Sequence, residues 1–480
     1  PWLSLGCINT LLKYGTEAQK SLYLPALVSG EWTGTMCLTE AQCGTDLGQV
    51  TTRAEPRPDG SYAITGTKMF ISAGEHDLAA NIVHIVLARL SGAPAGTRGL
   101  SLFVVPKFLP NEGGSPGRRN AVNCGAIEHK MGIRASPTAV LNFDAAVGQL
   151  IFEPNKGLEA MFTFITTARL GIALQGIAHA EASFQGALAY ARERRSMRAL
   201  SGKKEPDSVA DALIWHADVR RMLLTQKAIA EGGRAMIYAA AQTADIMFNA
   251  VLEEDRATQA EYDNLLGFYT PILKGFLTEL GLEAANLGMQ VFGGHGYIHE
   301  HGMEQMVGDA CIATLYEGTT GIQALDLLGR KVLIGTRGKC VRDFTRLMLR
   351  FARPHLFAGG CMGAMARSTV KRAIEWNLLT LRIMSRAGKD RDLVGSASVD
   401  YLMYSGYVMM GYFWALQADK AHKYLSSGQG AESAAFYRAK IQTAEFYFDR
   451  LLPRADGHRQ GALAPARSLM QMDNASFAFP

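Results

Sequence analysis

The chain has 480 residues, 48% of them hydrophobic and 19% charged. That is ordinary globular composition, long enough for two or three domains, and it excludes a disulfide-stapled module, a disordered chain and a multi-span membrane protein. Seven cysteines (Cys7, Cys37, Cys43, Cys124, Cys311, Cys340 and Cys361), scattered and never in C-x-x-C spacing, predict reduced thiols rather than a disulfide framework or zinc site. The net charge of +5 is uneven: from Lys331 onward 22 Lys and Arg face 11 Asp and Glu, whereas the first 330 residues hold 27 against 33.

The chain opens Pro-Trp-Leu-Ser-Leu with no Met and no basic-then-apolar leader, which reads as a fragment whose true N-terminus, with any targeting signal, lies upstream; the reduced thiols point to a reducing compartment, and a cytoplasmic location is the expectation. Residues 1–34 predict a helix pair, with apolar Leu11, Leu12, Leu22 and Leu24 and a turn near Gly30. Over 35–153 the texture changes to short β-rich runs such as Tyr62–Ile64, Ile82–Leu87 and Leu100–Val105, with Asp59-Gly60 as a hairpin turn. From 154 to 335 the pattern is helical, and segments near 158–194, 208–242, 258–289 and 303–330 each have the length and spacing of a long bundle helix. A β domain followed by a bundle predicts an α+β fold. Residues 336–480 add amphipathic helices over 341–385, 398–427 and 430–452, a polar turn at 426–430 and a loosely structured tail after Pro453. The longest uncharged stretch, Tyr401–Ala418, carries four Tyr, two Gly, a Ser and a Gln. It reads as a buried or interfacial helix, and no transmembrane segment is expected.

Four stretches carry candidate chemistry. Met36–Gly48 is a strand end running into a hydroxyl-rich loop, where backbone N–H groups and the hydroxyls of Thr39 and Thr45 suit a polar ligand; an ordinary turn satisfying its own backbone is the alternative. Gly66–His76 sets Phe70 and Ser72 two positions apart on a strand, hence on one face, a pairing that suits a planar heterocycle as well as it suits a core. Gln290–Tyr297 is a helix end entering a glycine-rich turn, where backbone can approach a ligand. His295, His299, Glu300 and His301 follow, but Gly293, Gly294 and Gly296 break the helix on which metal ligands would converge, so no metal is predicted. In Leu315–Gln323 a carboxylate, Glu317, sits at a Gly-flanked helix break, where it can project as a base or simply face solvent.

The order and wording of these stretches decide among the readings. T-E-x-x-x-G-T-D, K-M-F-I-S, the Met131–Arg134 turn, the Thr167–Arg169 helix start, G-G-H-G and Y-E-G-T occur in one register from about residue 1 to 335, and together they resemble the acyl-CoA dehydrogenase family. The stretches Met222–Lys227 and Ala324–Lys331, with the C-terminal extension, resemble its subgroup containing 3-methylmercaptopropionyl-CoA dehydrogenase. The resemblance implies a remnant of an N-terminal helical domain (1–34), a central small β-barrel or sandwich (35–153), a four-helix bundle (154–335) and an extra helical domain (336–480). It implies FAD, with Leu38, Thr39 and Thr45 on the isoalloxazine and pyrophosphate and Phe70 and Ser72 beside the ring. Arg194, Gln290, Gly293 and Gly294 match residues that reach the cofactor from a neighbouring subunit, and Thr319 joins the cofactor set, so a homodimer or homotetramer is implied. Glu317 matches the catalytic base, Ala168 standing where some members carry it instead. The implied reaction is dehydrogenation of an acyl-CoA, 3-methylthiopropanoyl-CoA or another short or medium acyl chain, with an electron-transfer flavoprotein or similar acceptor.

The basic C-terminal third leaves two other readings open. One is the DNA-binding alkylation-response flavoprotein of the same fold, although no nucleic acid is expected. The other is a membrane-associated, very-long-chain-type enzyme with 401–418 as the apolar docking face.

Overall fold

The computed structural model describes residues 2–478, apart from the side chain of Thr167. The chain forms two compact units, 1–171 and 172–480.

In the first unit two helices, α1 (Trp2–Tyr14) and α2 (Glu17–Ser29), precede nine strands. A reciprocal capping box between Thr16 and Gln19 starts α2, and Gly30 in a left-handed conformation ends it. The strands are β1 (Trp32–Cys37), β2 (Arg53–Pro56), β3 (Tyr62–Ser72), β4 (Asn81–Leu90), β5 (Leu100–Pro106), β6 (Phe108–Pro110), β7 (Pro116–Arg119), β8 (Val122–Ile127) and β9 (Thr138–Ile151). β4, β2, β3, β9 and β5 pair in turn and β5 returns to β4, which closes a ring; β1 extends β4 on one side and β8 flanks β9. The Asp59-Gly60 hairpin joins β2 to β3, with Gly60 left-handed and the Ser61 N–H donating to Asp59 Oδ1 at 2.9 Å. The unbroken apolar runs of β4 and β5 have a physical reason: both strands are buried on both faces. Val83, Ile85, Leu87, Leu102 and Val104 pack with Cys7, Leu11, Leu27 and Phe164 of the helices, while Val86, Ala88, Phe103 and Val105 pack with Ile64, Leu141 and Phe143 of the ring.

The bundle consists of α3 (Gly157–Glu193), α4 (Ala217–Leu252), α5 (Arg256–Phe292) and a broken fourth element. Thr167–Arg169 lies within α3 rather than at a helix start, because the helix begins ten residues earlier at Gly157; the Thr167 side chain falls outside the described residues. Residues 208–216 are loop and 3₁₀ turn rather than the start of α4. The buried Asp211 carboxylate there accepts the N–H groups of Ala199, Lys204 and Glu205, and that competes with helix formation. The segment near 303–330 is likewise not one helix. It divides into α6 (Met303–Cys311), a turn, α7 (Thr320–Leu325) and a π-helical stretch, Asp326–Gly335.

The last third folds as α8 (Lys339–Ala352), α9 (Gly360–Ala387), α10 (Asp392–Ser427), α11 (Ala434–Phe446) and α12 (Arg454–Leu463), ending in a short α13 (Arg467–Met470). Pro354 and the left-handed Gly360 split the single helix expected over 341–385. The first part of the tail after Pro453 is helical, contrary to expectation: in α12, Arg454 pairs with Glu283 at 2.8 Å, Asp456 with Arg372 at 2.6 Å and His458 with Asp400 at 2.8 Å. Tyr401–Ala418 lies inside α10 with Tyr401, Leu402, Tyr404, Met410 and Trp414 buried, so it forms the core of the extension and offers no apolar docking face. Two other helices, α3 and α4, are long and apolar enough to cross a membrane by length and composition alone, a test that core helices of soluble proteins also pass.

Candidate active site

In the first unit, β1 ends at Cys37 and the following loop is stitched to β3 by a buried ion pair. Lys68 Nζ lies 2.8 Å from Glu40 Oε1 and also donates to the Leu38 carbonyl at 3.0 Å, while the Met69 N–H donates to the Thr39 carbonyl at 2.9 Å. Glu40 further accepts from the N–H groups of Thr51 and Thr52, the Thr51 hydroxyl and the Gln42 amide. Burial works to raise the Glu40 carboxyl, but the Lys68 charge and hydrogen bond, with the other donors, outweigh it and hold the carboxyl at about 2. Burial draws the Lys68 ammonium down in turn, and the ionised Glu40 opposes that. Asp46 is spent within its own loop, on Gly48 N–H and the Gln49 amide. The hydroxyls of Thr39, Thr45 and Ser72, by contrast, have no protein partner among the described residues.

Phe70 and Ser72 share the outer side of β3, by a different route from simple alternation. A bulge between Lys68 and Ile71 gives Phe70 a left-handed backbone, φ 57°, so that buried Lys68 is followed by Phe70 at 60% exposure, buried Ile71 and half-buried Ser72. The Thr35 hydroxyl, donating to the Ser72 carbonyl at 2.6 Å, ties this strand end to β1.

In the second unit the candidates fall into two places. Arg194, exposed just past the end of α3, lies at the same bundle end as Gln290, Gly293 and Gly294. The Tyr190 ring stacks on Phe292 at 4.1 Å and its hydroxyl bonds to His295 Nδ1 at 2.9 Å, which joins the two helix ends. A Cβ built on Gly293 or Gly294 meets nothing within 4 Å, so both backbones face open space; Gly296 is different, its Cβ position lying 2.3 Å from the Met289 carbonyl. His295 stacks on His301 and His299 pairs with Glu304; among the described residues no His, Cys, Asp and Glu cluster of metal-ligand size occurs.

Glu317 and Thr319 lie elsewhere, beside the middle of α5, where the Lys274 contact is roughly 27 Å along the helix axis from its glycine-rich end at 1.5 Å per residue. Glu317 is half-buried and left-handed, φ 57°, and Gly318 follows at φ 94°. Such a backbone at a non-glycine residue costs about 1–3 kcal/mol and persists only where its surroundings impose it. Here the Glu317 carbonyl accepts from Gln323 Nε2 at 3.2 Å, the Gly318 carbonyl from Lys274 Nζ at 2.5 Å, and the Thr320 hydroxyl bonds to Glu279 at 2.5 Å. Tyr316 bonds to Gln175 of α3, and burial, reinforced by the Glu317 charge, raises its phenol well above the usual range. Thr319 caps α7, its hydroxyl accepting the Ile322 N–H at 3.3 Å, a local duty the sequence did not disclose. Ala168 is a buried alanine without an ionisable group.

Three family profiles match in succession: "Acyl-CoA dehydrogenase, middle domain" over 35–146, "Acyl-CoA dehydrogenase, C-terminal domain" over 155–333 and "Acetyl-CoA dehydrogenase C-terminal like" over 342–473. The 3-methylmercaptopropionyl-CoA dehydrogenase of Ruegeria pomeroyi is 44% identical over 94% of this chain and 75% of its own length. The chain belongs to the acyl-CoA dehydrogenase family. These are oxidoreductases that act on the CH–CH group of acyl-CoA. The broad-specificity linear acyl-CoA dehydrogenase FadE5 of Mycobacterium tuberculosis is 34% identical over 98% of this chain and 78% of the relative. Among solved structures, Caenorhabditis elegans ACDH-11 in complex with C11-CoA shares the fold with a TM-score of 0.77 at 20% identity, covering 96% of this chain and 74% of that one. An acyl-CoA dehydrogenase from Bacillus anthracis complexed with FAD does so with 0.74 at 19%, covering 97% and 74%.

Reading the sequence did not assign Glu40, Lys68, Lys274, Gln323 or Tyr190 any role. The pairing of Glu40 with Lys68 spans 28 positions and no spacing announces it. Lys274 did leave a signal, a lone charge within the apolar run Leu266–Leu277, where an unpartnered ammonium would not be tolerated.

Proposed function

We propose that the protein is an FAD-dependent dehydrogenase converting a short or medium acyl-CoA, 3-methylthiopropanoyl-CoA foremost, to its 2,3-enoyl-CoA, with Glu317 as the base. The observation that carries the reading is the Glu317 turn: a carboxylate on a left-handed backbone between two helices, tied down by side chains from α3, α5 and α7. A base held this rigidly loses little entropy when it takes the α-proton of a bound thioester. The substrate follows the Ruegeria relative, the most similar of those named.

The residues present fit a dinucleotide cofactor. Thr39, Thr45 and Ser72 offer hydroxyls that the protein leaves unused, Phe70 offers an exposed ring, and the Gly293-Gly294 backbone is open to close approach. When bound, FAD supplies the acceptor for the two electrons that leave with the β-hydrogen. Leu38, Thr39, Thr45, Phe70 and Ser72 hold it in one subunit. Arg194, whose guanidinium has no partner among the described residues, reaches it with Gln290, Gly293 and Gly294 from a second copy, and Thr319 contributes through its place beside the base. The assembly is thus at least a homodimer. An electron-transfer flavoprotein or similar carrier reoxidises it, in the cytoplasm.

Glu317→Gln keeps the size and hydrogen-bonding shape but removes the basic oxygen. Flavin content and acyl-CoA binding are expected to persist while anaerobic flavin bleaching slows at least ~10³-fold. Bleaching within ~10-fold of wild type, at confirmed flavin content, refutes the assignment.

A further inference from the structure

We infer that Lys274 and Gln323 are positioning residues for the base: they hold the Glu317 turn in its left-handed form by gripping two successive backbone carbonyls. The inference rests on the reading of Glu317 as base. Both side chains are fully buried, and they come from different helices, Lys274 from α5 and Gln323 from α7. Their targets are adjacent: Gln323 Nε2 donates to the Glu317 carbonyl at 3.2 Å and Lys274 Nζ to the Gly318 carbonyl at 2.5 Å. They belong to the peptide groups that follow Glu317 and Gly318, so the pair flanks the Gly318 dihedrals and the first closes Glu317; relaxing either residue toward negative φ, with the chain held on both sides, turns one of these carbonyls away from its donor.

The donors also match the task. An ammonium placed in an apolar helix core needs strong acceptors, and a carbonyl in a strained turn is oriented only by a donor that cannot leave for water. Gln323 spends its amide N–H on the turn although its own Oε1 is left buried without a partner, so its place is not explained by its own satisfaction. Glu279 and Gln175 secure Thr320 and Tyr316 on either side, and the two gripped carbonyls fix the stretch of backbone from which the Glu317 side chain extends.

The test uses holoenzyme of wild type, Lys274→Met, Gln323→Leu and Glu317→Gln, with 3-methylmercaptopropionyl-CoA as probe. Three quantities are read: backbone hydrogen exchange of peptides covering 315–322 without substrate, the anaerobic flavin reduction rate per bound flavin at saturation, and the acyl-CoA dissociation constant. Lys274→Met is expected to speed exchange in 315–322 at least ~10-fold, to slow reduction ~10- to 100-fold and to leave binding within ~3-fold, since a misplacement of about 1 Å costs up to 10²-fold in rate. Gln323→Leu is expected to move all three in the same sense by about a third as much on the logarithmic scale, and the isotope effect of α-deuterated substrate is expected to rise in both. Reduction within ~2-fold of wild type in both variants, or exchange accelerated equally throughout the helices, overturns the inference. Should Lys274→Met lose its flavin, Gln323→Leu decides by the same criteria. Unimpaired reduction in Glu317→Gln refutes the base itself, while exchange in 315–322 still decides whether the clamp exists.

Discussion

Two buried ionisable groups in the first unit make its stability depend on acid in distinguishable ways. Glu40, held at about 2, binds its proton more readily in the unfolded chain, so its contribution is complete above the ordinary carboxylate value of 4.5 and disappears as pH falls toward 2. His84 on β4 is fully buried with neither ring nitrogen bonded, and burial lowers it from 6.5 to about 3. Its neighbours Glu75, which pulls the other way, and Lys107, Arg119 and His76, which add to the lowering, do not change that direction. It is neutral in the fold and charged in the unfolded chain, so stability is present above 6.5 and falls by about 1.4 kcal/mol per pH unit below it. His84→Leu is therefore expected to flatten the loss of stability between pH 6.5 and 4.5 in urea titrations, leaving the steeper loss below 4.5 in place. Glu40→Gln, which strands Lys68, is expected to cost about 3–5 kcal/mol at neutral pH by the same measurement. Neither group was legible in advance: Glu40 and Lys68 stood inside recognisable motifs and His84 inside a recognisable strand, but burial and partners are properties of the packed barrel.

At the level of elements, β3 and α12 show how tertiary contacts override local pattern. Alternation placed Phe70 and Ser72 on one face and they are so placed, yet a bulge intervenes and Lys68, which alternation would also expose, is buried. The sequence of α12 has no apolar stripe beyond Ala455 and Ala462, and for that reason it reads as tail. Its helix is instead organised by charge: Asp456 engages the nearly buried Arg372 through two bonds of 2.6 and 2.9 Å, and Arg454 grips Glu283 of the bundle. Asp456→Ala is expected to lower stability by about 1.5–3 kcal/mol in chemical denaturation, in proportion to charge-assisted bonds lost from a buried guanidinium. A value under about 0.5 kcal/mol would show that Glu375 alone satisfies Arg372.

At the level of the whole molecule, the extension is built into the bundle rather than appended to it. The Trp414 indole N–H donates to the Ala228 carbonyl of α4 at 3.1 Å, and Gly406 lies against the Phe276 ring so closely that a Cβ there would sit 2.2 Å from it. Deleting 336–480 removes Phe344 and Trp376 from Phe268, and Gly406 and Tyr407 from Phe276, and so exposes both rings. The truncated protein is expected to aggregate or lose its oligomer in size-exclusion chromatography with light scattering; a soluble product of unchanged assembly and activity would contradict this.

Sequence by itself determined the class of each long segment, the hairpin at Asp59-Gly60 and the family, because periodicity, turn residues and ordered motifs act over short spans. For Tyr401–Ala418 it left a buried and an interfacial helix open, and only the packed structure chose burial. Tertiary structure alone decided that the β strands close into a ring, that residues near 303–330 split around Glu317 and that the chain after Pro453 continues as α12. It alone decided, too, that a lysine 43 positions away grips the turn carrying Glu317. Each of these depends on groups distant in the chain satisfying one another in the interior, where an unpaired carbonyl, carboxylate or ammonium costs more than the local preference it overrides.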